Sequence, residues 1–134
     1  MKPLFEGIYT LFTADTEDDL YQAVSGRFYM GSAPQDATYP HIVYSLVSDM
    51  PDEHLSDSPL IEDILLQFSL YSQKKSASEV ADMFTYLKAM FDDCIVTVSG
   101  YSLIEFTRDQ ANLIRDEENN IWHYAVDYNV ILTA

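Results

Sequence analysis

The chain has 134 residues, of which 22 are Asp or Glu and 7 are Lys or Arg, giving a formal net charge of −15 at pH 7. Nucleic-acid affinity depends mainly on Lys and Arg contacts to phosphate, so this balance excludes a protein that holds nucleic acid in a basic groove. It also excludes binding to an anionic membrane surface. The length suits one domain, residues 1–134, and 48% hydrophobic residues supply a core.

No segment predicts export or membrane insertion. Glu6 interrupts what would be the apolar stretch of a signal peptide, and no apolar run approaches the ~20 residues that span a bilayer. One cysteine, Cys94, leaves no internal disulfide, which suits a reducing compartment.

Two helices are predicted at the N-terminus. Residues 3–13 carry apolar side chains at helical spacing, and residues 20–24 form a second, short helix that Ser25-Gly26 ends. Strands are predicted at 27–30 and 41–47. The second strand is apolar on both faces, which predicts a central strand covered on both sides.

The middle of the chain is predicted to combine an acidic loop, a strand and a helix. Residues 48–59 contain two prolines and no Lys or Arg, so they predict an exposed loop, and its acids are candidate interaction residues: Asp49, Asp52, Glu53 and Asp57. A long strand is predicted at 60–72. Ser76 and Glu79 have the spacing of a capping box at the start of the clearest helix.

The C-terminal part is predicted to be a long hairpin. Two strands, 101–115 and 121–133, flank an acidic turn with further candidate interaction residues, Asp116, Glu117 and Glu118. Both strands exceed the usual ~5–6 residues, which predicts a protruding hairpin. The element order predicts an α+β fold: an antiparallel or mixed β-sheet with helices packed on one face and a long C-terminal β-hairpin.

No constellation of catalytic residues is visible. The four glycines are isolated, so no phosphate-binding loop is formed. Cys94 follows Asp92 and Asp93, and acids raise a thiol pKa, which is the wrong direction for a nucleophile. The histidines have no metal-ligand spacing, and residues 52–57 lack the pattern of a calcium loop. We therefore expect no enzyme, no cofactor and no metal site.

Short motifs in the first third of the chain have a distinctive order: Gly26-Arg27-Phe28-Tyr29, Ala33-Pro34-Gln35 and Pro40-His41-Ile42-Val43-Tyr44. Gln67-Phe68-Ser69-Leu70-Tyr71 and a final strand beginning at Trp122 complete the pattern. Over nearly its whole length the chain resembles the tail-completion proteins of long-tailed bacteriophages, also called tail terminators or tail-to-head joining proteins. His41 stands where that family more often has an aromatic residue and Ser69 where it often has an acid, so no role is carried over to them.

The resemblance implies a structural virion protein that caps the completed tail tube, stops its elongation and joins the tail to the head connector. It implies a hexameric ring in the virion, with the tail tube protein and a head completion protein as partners. Repulsion between copies of charge −15 predicts monomers when the protein is isolated at low salt. DNA would pass through the lumen without specific binding. The implied location is the head–tail interface of the virion, after assembly in the host cytoplasm, with no membrane contact. Arg27, within the first motif, is a further candidate interaction residue, or else pairs with a nearby carboxylate.

Two other classes compete with that interpretation. An acidic DNA mimic that inhibits a nucleic-acid-binding protein would carry carboxylates along regular elements, whereas many acids here fall in predicted loops. A catalytic or small-molecule-binding domain would need a constellation that the sequence does not contain.

Overall fold

The structure is a computed structural model that describes residues 1–52 and 61–134. In this part of the chain the elements are α1 (Lys2–Thr13), α2 (Asp19–Val24), β1 (Phe28–Met30), β2 (His41–Asp52), β3 (Ile61–Ser72), α3 (Ser78–Phe91), β4 (Ser102–Asp116) and β5 (Ile121–Thr133). None of these helices is long and apolar enough to cross a membrane. The predicted α+β class is confirmed.

The five described strands form one mixed sheet in the order β1-β2-β3-β5-β4. β1 is parallel to β2, and the other neighbours are antiparallel. Helices pack on one face, where Phe28 of β1 stacks on Phe12 of α1 with ring centroids 4.0 Å apart, and Phe68 of β3 lies 4.6 Å from Phe91 of α3. These aromatic contacts between layers form the centre of the core.

Local sequence signals account for the N-terminal elements. Pro3 lies in the first turn of α1, where its missing N–H costs nothing. The Asp18 side chain caps α2 by accepting a hydrogen bond from Leu20 N at 3.0 Å. Ser25 and Gly26 end this helix with positive φ angles of 50° and 74°.

The expected loop at 48–59 is wrong for its first five residues. β2 continues to Asp52, and Asp49 pairs with Ile64 of β3, after a register shift between Leu46 and Ser48. Residues 48–52 form a strand because their backbone groups pair with β3. Their own acids and proline favour a loop, so the local sequence did not indicate this strand. β2 is an inner strand, as predicted, between β1 and β3. The expected coverage of both its faces is incomplete, because Val47, at the register shift, is 53% exposed.

The expected capping box is wrong as well. The N-cap of α3 is Ala77, with no side-chain cap, and Ser76, one residue before it, accepts a 3.1 Å hydrogen bond at Oγ from the N–H of Ser78, the first residue of the helix. The Glu79 carboxylate instead accepts a 2.6 Å hydrogen bond from Ser72 Oγ, at the buried end of β3. This bond connects α3 to β3, and the Glu79 carboxylate is therefore not available to cap the N-terminus of the helix.

The C-terminal hairpin of β4 and β5 does not project beyond the sheet. Trp122 of β5 pairs with Ser72, the last residue of β3. Beyond it, Asn120 Nδ2 donates to Gln73 O at 2.9 Å and Trp122 Nε1 donates to Lys75 O at 3.2 Å. The turn is thus fastened to the segment that leads into α3.

Candidate functional site: acidic surfaces at the two ends of the sheet

One acidic surface lies where β2 ends and β3 begins, and we call it the β2–β3 end. Asp49 is exposed there, and Asp52 pairs through its backbone with Ile61. Glu62 and the exposed Asp63 follow on β3. Glu53 and Asp57, which the sequence also indicated, lie outside the described residues.

Two carboxyl groups at the β2–β3 end interact directly. A side-chain hydrogen bond to Asp49 raises the pKa of Glu62, and desolvation and the Asp49 charge act in the same direction. The two side chains lie on one face because Asp49 pairs with Ile64, two residues along β3 from Glu62. Sequence analysis missed Glu62, since only the strand register brings it to Asp49.

The second acidic surface, which we call the β4–β5 turn, consists of the last residue of β4, Asp116, and the turn residues 117–120, and so contains the predicted Asp116, Glu117 and Glu118. The Asp116 carboxylate accepts hydrogen bonds from Asn119 Nδ2 at 2.9 Å and from Asn119 N at 3.2 Å. These bonds lower the pKa of Asp116. Glu117 and Glu118 are exposed beside it, so the turn presents three carboxylates to solvent.

Arg27 lies at the same end of the sheet as this turn, but it serves the fold. Its Nε donates to Pro40 O at 2.9 Å and its Nη2 to Tyr39 O at 3.4 Å. No carboxylate of residues 1–52 or 61–134 forms an ion pair with it. The side chain therefore holds the segment that enters β2, and the expected pairing with a carboxylate is not found there.

The predicted site residues are not brought together. β3 runs from Ile61 at the β2–β3 end to Ser72 beside the β4–β5 turn. At about 3.4 Å per residue the two acidic surfaces lie about 37 Å apart. The two surfaces are therefore separate, one at each end of the sheet.

The described residues offer little for catalysis. Burial raises the pKa of Cys94 to about 12, with Asp93 and Asp92 adding to the shift, so the thiol stays protonated. The direction agrees with the sequence prediction, although burial is the larger cause. No three His, Cys, Asp or Glu residues among those described are placed to hold a metal ion. A groove of about 630 Å³ between α2 and α3 is lined by no His or Cys.

These features place two acidic surfaces at opposite ends of one five-stranded sheet. The sequence model of the family described as "Tail completion protein gp17" matches residues 7–133, and the chain belongs to that family. It is a structural protein of phage tails and virions. Comparison with curated protein sequences gives no match.

Two solved structures are similar to the chain in fold. A chain of the virion of a native gene transfer agent particle matches with a TM-score of 0.81 and 12% identity, over 98% of this chain and 95% of that one. The gp17 protein of bacteriophage SPP1 matches with a TM-score of 0.58 and 18% identity, over 96% of this chain and 88% of that one. At these identities the similarity shows the shared fold.

Proposed function

We propose that this protein is a tail terminator that caps the completed tail tube, stops its elongation and joins the tail to the head connector. Family membership supplies the tail role. The observation that supports the joining role is the separation of the two acidic surfaces by the length of β3, about 37 Å. One end contacts the tail tube protein and the other the head completion protein, at the head–tail interface of the virion.

The protein acts in this proposal as a hexameric ring around the DNA channel. Six copies of charge −15 carry −90, and a negative wall repels phosphate, so DNA slides past without specific binding. The acids of the β2–β3 end are the first choice for the lumen or docking surface. The β4–β5 turn, with Asp116, Glu117 and Glu118, is the second.

Deletion of the gene from its phage tests this function. We expect heads filled with DNA and tails of uncontrolled length that are not attached to heads, because nothing stops tube polymerisation or presents a surface to the connector. Electron microscopy of the lysate measures both features, and supplying the intact gene from a plasmid is the control. Joined tails of normal length in the deletion would refute the terminator function.

A further inference from the structure

The two edges of the sheet differ in length, because β1 has 3 residues whereas β4 has 15. Among the described strands β4 pairs only with β5, so its other side is the outer edge of the sheet. On that side the Phe106 carbonyl oxygen accepts a 3.1 Å hydrogen bond from Asp93 N. Residues 109–115, which we call the β4 edge, have no outward backbone partner among the described residues.

Backbone groups of the β4 edge are arranged to pair with a further strand. In an antiparallel pair, successive residues point their N–H and C=O groups alternately toward and away from the neighbouring strand. Phe106 points outward, and following this alternation along β5 places the outward groups of the β4 edge at Ala111, Leu113 and Arg115. Edge strands are usually protected by Pro, by Lys or by being short, and residues 110–115 contain neither Pro nor Lys.

The sequence of the β4 edge is complementary to itself when two copies run antiparallel. An alignment centred on Asn112 opposes the following residues of the two copies: Asn112–Asn112, Ala111–Leu113, Gln110–Ile114 and Asp109–Arg115. The outermost pair joins opposite charges and occurs twice by symmetry, which stabilises strand pairing. Leu113 and Ile114, which are 45% and 48% exposed in the single chain, are covered in this alignment.

We propose that the β4 edges of two copies pair antiparallel about a two-fold axis at Asn112, which makes the β4 edge a dimer contact. At each Ala111–Leu113 pair the two residues exchange both N–H···O bonds, because their outward backbone groups face each other. The sheets of the two copies thereby become one continuous sheet.

The charge balance favours a second copy over other occupants. Residues 109–115 carry one Asp and one Arg, so the contact is locally neutral although the whole chain has a charge of −15. Nucleic acid requires an excess of cations and has no strand backbone to pair with. A strand of another protein would also pair through its backbone, but the symmetric placement of Asp109 and Arg115 about Asn112 specifically matches a second copy.

This dimer contact is separate from the proposed ring. An isologous contact joins two copies and is then complete, whereas a six-fold ring is closed by a heterologous contact. The contact spans only the β4 edge, so the interface is small and we expect a transient dimer. Its role is to cover the edge strand of the free protein, because an unpaired edge strand is prone to aggregation.

Cysteine cross-linking tests the position of the two-fold axis. Only the residue on the axis lies opposite its own copy, and the Cα atoms of such a non-hydrogen-bonded pair are about 4.5 Å apart, within disulfide range. Asn112→Cys should therefore form a covalent dimer at least about tenfold faster than Ile114→Cys during mild oxidation at physiological ionic strength. Ile114 is the matched control, because it is exposed on the same face of β4 but would lie about 13 Å from its own copy.

A denaturing gel without reductant measures the covalent dimer, so rings in the same sample do not obscure it. The wild type controls for the native thiol of Cys94. Asn112→Cys that forms a covalent dimer no faster than Ile114→Cys would overturn the proposal.

Charge reversal gives an independent readout, because a specific contact and general repulsion predict opposite results. Asp109→Arg makes the molecule less acidic, which weakens repulsion between copies, yet it places the new guanidinium opposite Arg115 of the second copy. We expect the Kd of dimerisation, measured by sedimentation, to rise about tenfold. Combining it with Arg115→Asp restores the opposed charges and should return the Kd close to the wild-type value. A lower Kd for Asp109→Arg would overturn the proposal, while the deletion phenotype judges the terminator function separately.

Discussion

A buried hydroxyl compensates the charge of Asp92, the C-cap residue of α3, at a helix end where the dipole disfavours negative charge. Tyr128, fully buried in β5, donates a 2.6 Å hydrogen bond to Asp92 Oδ1. Arg108 Nη2 lies 3.4 Å from Asp92 Oδ2. Burial and this bond to a carboxylate raise the pKa of Tyr128, so it remains a donor. The carboxylate is thus compensated by β4 and β5, a contact that no local pattern in the sequence reveals.

Tyr128→Phe should lower the free energy of unfolding by about 1–3 kcal/mol, because a hydrogen bond to a charged group is lost within the core. Urea denaturation at pH 7 measures the change. Tyr124→Phe is the matched control on the same strand, since the Tyr124 hydroxyl has no hydrogen bond to any described residue. Losses of equal size in the two variants would show that the bond to Asp92 contributes nothing specific.

Periodicity in the sequence predicted those elements whose signals are local. The bounds of α1, β3 and β5 agree with prediction to within one residue, because each has a regular apolar period. β2 was predicted five residues too short, since its acidic second half is a strand only through pairing with β3. For the site, the acids Asp116, Glu117 and Glu118 were predicted from their position between two strands. Glu62 was not predicted as a site residue, because only the pairing of β3 with β2 brings it close to Asp49.

Close packing between α1 and the segment after α3 depends on a glycine. A Cβ at Gly7 would lie 2.7 Å from Val96 Cγ1 and closer still to the Thr97 carbonyl oxygen. Val96 is buried, and its segment crosses α1 without regular secondary structure. The absence of a side chain at Gly7 therefore lets α1 approach this segment.

Gly7→Ala should lower the free energy of unfolding by about 1–3 kcal/mol, as overpacking does in well-packed cores. Helix propensity alone predicts the opposite, a gain of up to about 1 kcal/mol for Ala over Gly. Thermal and urea denaturation decide between the two effects. Thr10→Ala, at an exposed position of the same helix, is the control and should change stability little. A stabilised Gly7→Ala protein would mean that α1 does not contact Val96 and Thr97 so closely.

Charge is unevenly distributed over the whole molecule. Acids are concentrated at the β2–β3 end, at the β4–β5 turn and on the helix side. Assembly of identical copies brings these acids together, and screening limits the repulsion to about 30 Å at 10 mM salt and about 8 Å at physiological ionic strength. Apolar burial is not weakened in this way. Salt should therefore decide whether rings form.

We expect the isolated protein to be mainly monomeric at low salt and to form rings as salt is added. Magnesium should act more strongly than sodium at equal ionic strength, because a divalent cation can bridge acids of the β2–β3 end, such as Asp49 and Glu62, between neighbours. Lowering the pH should favour rings too, since the raised pKa of Glu62 makes it lose its charge early. Analytical ultracentrifugation over matched sodium and magnesium series measures the ring fraction. Rings that are most abundant at low salt would show that ion pairs hold the interface and that repulsion does not control assembly.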